Sequence, residues 1–174
     1  MALGVCVLFD PRTDRAVRAL WDRLEERGVP TLRSHTHGLH TPHMSYVVLL
    51  GWHLDVVRDV VAALPDRGPY DMVFDAVGSF RRGRVCLIPA VPAALVARQQ
   101  AVVEAVAATG ALVHEHYQVG RWLPHCSIAP RARLAQLPVV AATMYEVLPL
   151  PARAVATALI DSATGQRWPL PNLP

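Results

Sequence analysis

Pro42-His43-Met44-Ser45-Tyr46-Val47-Val48-Leu49 is answered, eighty-two residues further on, by Pro124-His125-Cys126-Ser127-Ile128-Ala129. Both stretches read as strands, in which successive side chains point to opposite faces. A His and a Ser two apart therefore share a face. Met44, Tyr46 and Val48, and likewise Cys126 and Ile128, are expected to anchor the other face in a core. One His-x-Ser alone means little. With eight His and thirteen Ser or Thr in the chain, about one His-x-Ser/Thr triplet is expected by chance.

The context repeats too. Gly28 and Gly110 each precede the motif His by fifteen residues, and a Pro stands directly before each His. A helical pattern runs up to each Gly, and a helix-like segment follows each strand. Val5-Cys6-Val7-Leu8 and Val85-Cys86-Leu87-Ile88 open the two halves, eighty residues apart; Ser79 and Ser162 follow their motifs at matching distances. This is one α/β unit used twice. The expected fold is α+β and duplicated. Each of two lobes would carry a small, mainly antiparallel sheet with helices packed outside, and a pseudo-two-fold cleft would lie between them. Residues 1–174 would form one domain from repeats of about 1–82 and 83–174.

Within that frame, Leu3–Phe9 reads as a strand. Asp10-Pro11 starts a helix through Val17, Leu20, Trp21 and Leu24 that Gly28 and Pro30 stop. Residues 31–41 are polar and His-rich and read as a loop at the rim of the site, its His cluster solvated and mobile. Val56 to Leu64 is a second amphipathic helix. Tyr70–Phe80 and Arg84–Ile88 form a hairpin around Arg81-Arg82-Gly83. In the second half, a helix over 92–109 precedes a loop over 111–123 and the second motif strand. A weaker helix over 134–148, interrupted by Pro138, and a closing hairpin of 154–160 with 167–170 complete the chain.

Two His-x-(Ser/Thr) strands about eighty residues apart in a duplicated α/β chain resemble the 2H phosphoesterase superfamily, which includes 2′-5′ RNA ligase-like proteins and cyclic nucleotide phosphodiesterases. The resemblance covers nearly the whole chain. It implies action on 2′,3′-cyclic phosphates, 2′-5′ linkages or related cyclic nucleotides, on RNA ends or small nucleotides. Two departures stand out: both hydroxyl positions are Ser rather than the commoner Thr, and Pro130 separates the second motif from the basic residue, Arg131.

The chemistry of the motif residues is consistent with that resemblance. Imidazole titrates near neutrality, so His43 and His125 on opposite sides of a phosphodiester can hold opposite protonation states. One takes a proton from the attacking oxygen and the other gives one to the departing oxygen. Ser45 and Ser127 can hydrogen-bond the non-bridging phosphate oxygens. No metal or other cofactor is implied. The alternatives are half-buried structural histidines, a non-catalytic nucleotide- or RNA-end-binding module using the same cleft, or a specialised phosphoesterase of a secondary pathway.

Secondary candidates surround the motifs. Arg121 and Arg131, with Arg133, flank the second one and could clamp phosphate, or could simply be surface charge. Tyr117 and Trp122 could stack on a base, or pack in the core. His35, His37 and His40, and His114-Glu115-His116, raise the question of zinc, but the spacing matches no standard structural zinc site. Asp75 and Asp161 fit turn or strand-end roles.

Composition narrows the classes further. All seventeen basic residues are Arg, so a lysyl-nucleotidyl ligase mechanism, a Gly-Lys-Ser/Thr P-loop and a Schiff base are excluded. The net charge of +3 suits an anionic small substrate or a short nucleic acid. No apolar run is long enough to span a membrane. The first residues read as a strand, not a leader. Cys6, Cys86 and Cys126 sit in apolar strands, the pattern of buried free thiols in a reducing compartment. The expectation is a cytoplasmic protein, monomeric, with no membrane partner.

Overall fold

A computed structural model describes residues 2–174. Four helices surround eight strands: β1 (Leu3–Phe9), α1 (Pro11–Glu26), β2 (His43–Gly51), α2 (Leu54–Ala62), β3 (Tyr70–Phe80), β4 (Arg84–Pro89), α3 (Ala93–Ala107), β5 (Leu112–Val113), β6 (Cys126–Ala129), α4 (Leu137–Tyr145), β7 (Leu150–Asp161) and β8 (Arg167–Leu170). The α+β class with an antiparallel sheet is as expected.

The strands of the two halves interleave in one sheet, in the order β1-β2-β6-β4-β3-β7-β8, with β5 on β2. Every pairing is antiparallel. Because β1 also pairs with β7, six strands close into a ring. The long β7 makes this possible: its Leu150–Ala154 segment pairs with β3 and its Ala154–Asp161 segment with β1. It begins four residues earlier than the pattern suggests, and Pro151 within it is exposed.

Alternation along β1 shows how the sheet separates core from cleft. Leu3, Val5, Val7 and Phe9 are buried in the main core with Val17, Leu20, Trp21 and Leu24 of α1. Ala2, Gly4 and Cys6 face the cleft on the other side. Helix α1 starts where expected: Asp10 accepts a hydrogen bond from the Thr13 backbone N–H (2.9 Å), and Pro11 occupies the first turn. Pro138 does not interrupt its helix. It lies in the first turn of α4, where its missing N–H has no partner to lose, after a separate 3₁₀ turn at Leu134–Gln136.

The loop over 31–41 is anchored at its start, while Arg33, Ser34, Thr36, Gly38 and Leu39 are exposed, as the solvated reading has it. The Glu25 carboxylate accepts from the backbone N–H and hydroxyl of both Thr31 and Ser34, and the Leu32 N–H donates to the Ile128 carbonyl. Arg33 pairs with Asp22 at 2.6 Å. Thr31, Arg33 and Ser34 tie the start of the loop to α1, and the Leu32 backbone ties it to β6.

Candidate active site

The two motif strands are neighbours. Met44 of β2 pairs with Cys126 of β6, and both are fully buried on the core side. Continued one residue each way, that antiparallel pairing sets His43 across from Ser127 and Ser45 across from His125, all four on the cleft face. Directly opposed residues lie about 5 Å apart and diagonal ones about 7–8 Å. The two imidazoles thus form one diagonal and the two hydroxyls the other.

Both rings are held in the same way. His43 Nδ1–H donates to the Thr41 carbonyl (2.7 Å), and His125 Nδ1–H donates to the Leu123 carbonyl (2.8 Å). In each case the acceptor lies two residues upstream. The proton on Nδ1 leaves Nε2 as the nitrogen available for chemistry.

The anchoring extends to cysteines for which the sequence suggests only burial. Cys6 pairs with Ser45 across β1 and β2, and Cys86 with Ser127 across β4 and β6. The sulfur–hydroxyl distances are 3.4 Å and 3.8 Å. The eighty-residue repeat of Val-Cys was the signal. What it lacked was the register that brings each thiol to a motif Ser.

One side of this face deepens into a cavity of ≈ 160 Å³. Gly4, Cys6, His43, Ser45, Val48 and Ser127 contribute to its lining, and His37, Leu39, His40, Ser162 and Arg167 form further walls. His125 is not among them and stands beside it, its ring 5.3 Å from Phe80 and 6.3 Å from Tyr117. Gly4 keeps the floor open: a Cβ there would lie 2.7 Å from Cys6 Sγ. Val48 is a correction, since it lines the cavity instead of the core. The register of β1 on β2 shifts between Val5 and Cys6, so β2 takes up an extra residue near Tyr46 and the alternation inverts beyond it.

Electrostatics separate the two histidines. Burial opposes charge on His43, but Cys6 and the Thr41 carbonyl outweigh it and hold the imidazole up at about 9. Burial pushes His125 down, the Leu123 carbonyl only partly opposes this, and His43 and Arg84 push it further down. His40 is pushed down to about 4 by burial and by His37, His35 and His43, so it adds no charge to the cavity near neutrality.

The remaining candidates fall into distinct places. Trp122 donates its indole N–H to the Ser45 carbonyl (3.0 Å), so it braces the first motif strand. Tyr117 is held by Gln99, whose side-chain amide donates to the carbonyls of both Tyr46 (3.2 Å) and Tyr117 (2.8 Å). Its phenol is raised by burial and by Cys6 and Cys86 nearby. Arg121 is exposed and 4.0 Å from Glu115. Arg131 is exposed just beyond β6 and bears on His35. Asp161 accepts from the Ala163 and Thr164 N–H groups, the turn role its position suggested. Among the described residues, no three His, Cys, Asp or Glu side chains are arranged to hold a metal ion, the His-rich segments included. No helix among them is long and apolar enough to cross a membrane.

The fold has counterparts among known proteins. A solved structure described as a phosphoesterase is similar over 97% of this chain and 97% of its own, at a TM-score of 0.61 and 13% identity, a likeness of fold. Weaker likenesses reach the MHV ns2 PDE domain (74% and 82% covered, TM-score 0.49, 17% identity) and Usb1 of Kluyveromyces marxianus (97% and 97%, TM-score 0.48, 13% identity). No curated protein matches. The family model of the 2′-5′ RNA ligase superfamily matches residues 10–166. The chain therefore belongs to the 2′-5′ RNA ligase superfamily, the 2H phosphoesterases, with the phosphoesterase- or ligase-type chemistry of that group.

Proposed function

We propose that this protein is a metal-independent phosphoesterase that opens 2′,3′-cyclic phosphates or cleaves 2′-5′ phosphodiester bonds, on RNA ends or small nucleotides. One observation carries the reading: two imidazoles, each oriented by a carbonyl two residues upstream, share a sheet face with two hydroxyls. The opposed shifts of the two rings support His125 as the base and His43 as the acid.

His125, neutral near pH 7, takes a proton from the attacking water through Nε2 as the new phosphorus–oxygen bond forms. The bond from phosphorus to the ribose oxygen breaks, and that oxygen takes its proton from Nε2–H of the charged His43. The turnover ends with His125 protonated and His43 neutral, and exchange with solvent restores both. Ser45 and Ser127 donate to the non-bridging oxygens, where negative charge gathers. Each proton transfer is worth about 10²–10⁴-fold.

The test is a panel of the four nucleoside 2′,3′-cyclic monophosphates and 2′-5′ dinucleotides in EDTA, with products identified as 2′- or 3′-phosphates. Turnover of a cyclic phosphate or a 2′-5′ bond with one regiochemistry is expected. Turnover that appears only when a divalent cation is added back, or none on any substrate, contradicts the reading.

A further inference from the structure

The two motif histidines have matched anchors and unmatched neighbours. Each follows a proline, and each gives its Nδ1 proton to a carbonyl two residues upstream. Against His125 stand two aromatic rings, Phe80 at 5.3 Å and Tyr117 at 6.3 Å between centroids, tilted by 54° and 44°. Among the described residues, no Phe, Tyr or Trp ring packs on His43.

The two rings come from opposite flanks of β6, which lies between β2 and β4, with β3 beyond β4. Phe80 closes β3, where it pairs with Arg84. Residues 78 and 80 share a face of that strand. Gly78 leaves the face bare: a Cβ there would lie 2.9 Å from the Ile88 side chain and 3.6 Å from Phe80 Cε2. The Phe80 ring occupies the space a side chain at 78 would contest.

Tyr117 arrives from the β2 side. β2 pairs with β6 at Met44 and with β5 from Leu49. Between those pairings its carbonyls are taken by the segment that carries Tyr117. Trp122 donates to the Ser45 carbonyl (3.0 Å), and the His114 N–H donates to that of Val48 (2.9 Å). Gln99 ties the Tyr46 carbonyl to that of Tyr117 itself.

Aromatic carbon displaces the water that would solvate an imidazolium. Burial is the first cause that lowers His125; the Leu123 carbonyl opposes it, and the cations His43 of β2 and Arg84 of β4 add to it. Tyr117, the other titratable group on the ring, is raised by burial and stays neutral near pH 7. An apolar surrounding for one of two like groups is a general way of dividing them into acid and base.

We infer that Phe80 and Tyr117 clamp the His125 imidazole from the two flanks of β6 and keep water from it, as the positioning residues of the base. They act through His125, not on the phosphorus. This rests on the phosphoesterase reading of the His–Ser centre and adds the side chains that set its two histidines apart.

The experiment follows the His125 imidazole by NMR in the full chain labelled at histidine, its signal assigned by its absence from H125Q. The wild type is expected to titrate below 6.5. F80A, which opens one flank, should titrate about half a unit to one unit higher. F80L, which restores apolar volume, should return the midpoint most of the way. Y117A opens the other flank and should raise the midpoint independently. On a turned-over cyclic phosphate, the acid limb of kcat/KM should move up with the midpoint, costing about three- to tenfold at its foot, while the alkaline limb stays in place.

A midpoint that stays put in F80A or Y117A overturns the clamp, as does one that F80L moves as far as F80A. A midpoint that falls also overturns it, since that is the sign of a ring that attracts the charged imidazole. Midpoints are read in folded protein, and Y117A decides if F80A does not fold. If no substrate is turned over, the reading of the centre fails while the NMR midpoints still decide the clamp. Turnover with unmoved midpoints fails the clamp alone.

Discussion

Cys6 Sγ lies 3.4 Å from Ser45 Oγ, and the same residue is what chiefly raises His43. One residue of the cavity lining therefore bears on both motif residues of the first strand. Cys86 reaches Ser127 at 3.8 Å in the second. The difference gives the two histidines unequal surroundings in an otherwise matched pair.

Replacing Cys6 by Ala removes what chiefly raises His43. As the acid, His43 must be protonated, so activity is lost as pH rises through its pKa. The alkaline limb of the kcat/KM profile should therefore move down in C6A, while the acid limb, set by His125, stays in place. An alkaline limb at the same pH in both proteins would remove Cys6 from this role.

Ser45→Ala and Ser127→Ala each delete one donor to the non-bridging oxygens. Each is expected to lower kcat by about 10²-fold with a smaller effect on KM, because the charge they meet grows in the transition state. Steady-state kinetics on the best substrate of the panel will show it. Loss confined to KM would make the serines ground-state binders only.

Gln99 is buried, and its amide satisfies two backbone carbonyls on separate segments. Gln99→Leu leaves both without that donor, at a cost of about 2–3 kcal/mol, read in denaturant unfolding. Because one of those carbonyls belongs to Tyr117, which packs on His125, kcat should fall as well. Unchanged stability would mean that water or another donor replaces the amide.

Glu25 has its carboxyl held below the usual range: burial raises it, but the hydroxyls and N–H groups of Thr31 and Ser34 outweigh that. A depressed carboxylate stabilises the fold above its unfolded pKa, and the contribution fades as pH falls through the folded value. Glu25→Ala should therefore cost stability at pH 7 and much less at pH 3. It should also raise hydrogen exchange across residues 31–41. Equal losses at both pH values would contradict the anchoring.

Much of this was legible in the chain. The paired motifs, their matched prolines and the eighty-residue Val-Cys repeat led to the antiparallel α+β fold and to four residues that the sheet brings onto one face. Features set by contacts remote in sequence were not. The bulge near Tyr46 that turns Val48 into the cavity depends on the partner strand, and no period along β2 reveals it. The thiol contacts of Cys6 and Cys86 arise from cross-strand register. Thr31 and Ser34 read as solvated in the sequence, yet Glu25, six to nine residues upstream, binds both.

The central claim is that His43 and His125 act as acid and base on one phosphorus. Its most direct measurement is the pH dependence of kcat/KM for the wild type, H43Q and H125Q on a turned-over nucleoside 2′,3′-cyclic phosphate. The wild type should give a bell, its acid limb below 6.5 from His125 and its alkaline limb near 9 from His43. Each variant should lose about 10²–10⁴-fold in rate together with its own limb. Near wild-type activity in either variant, or a bell unchanged by both, would contradict the claim.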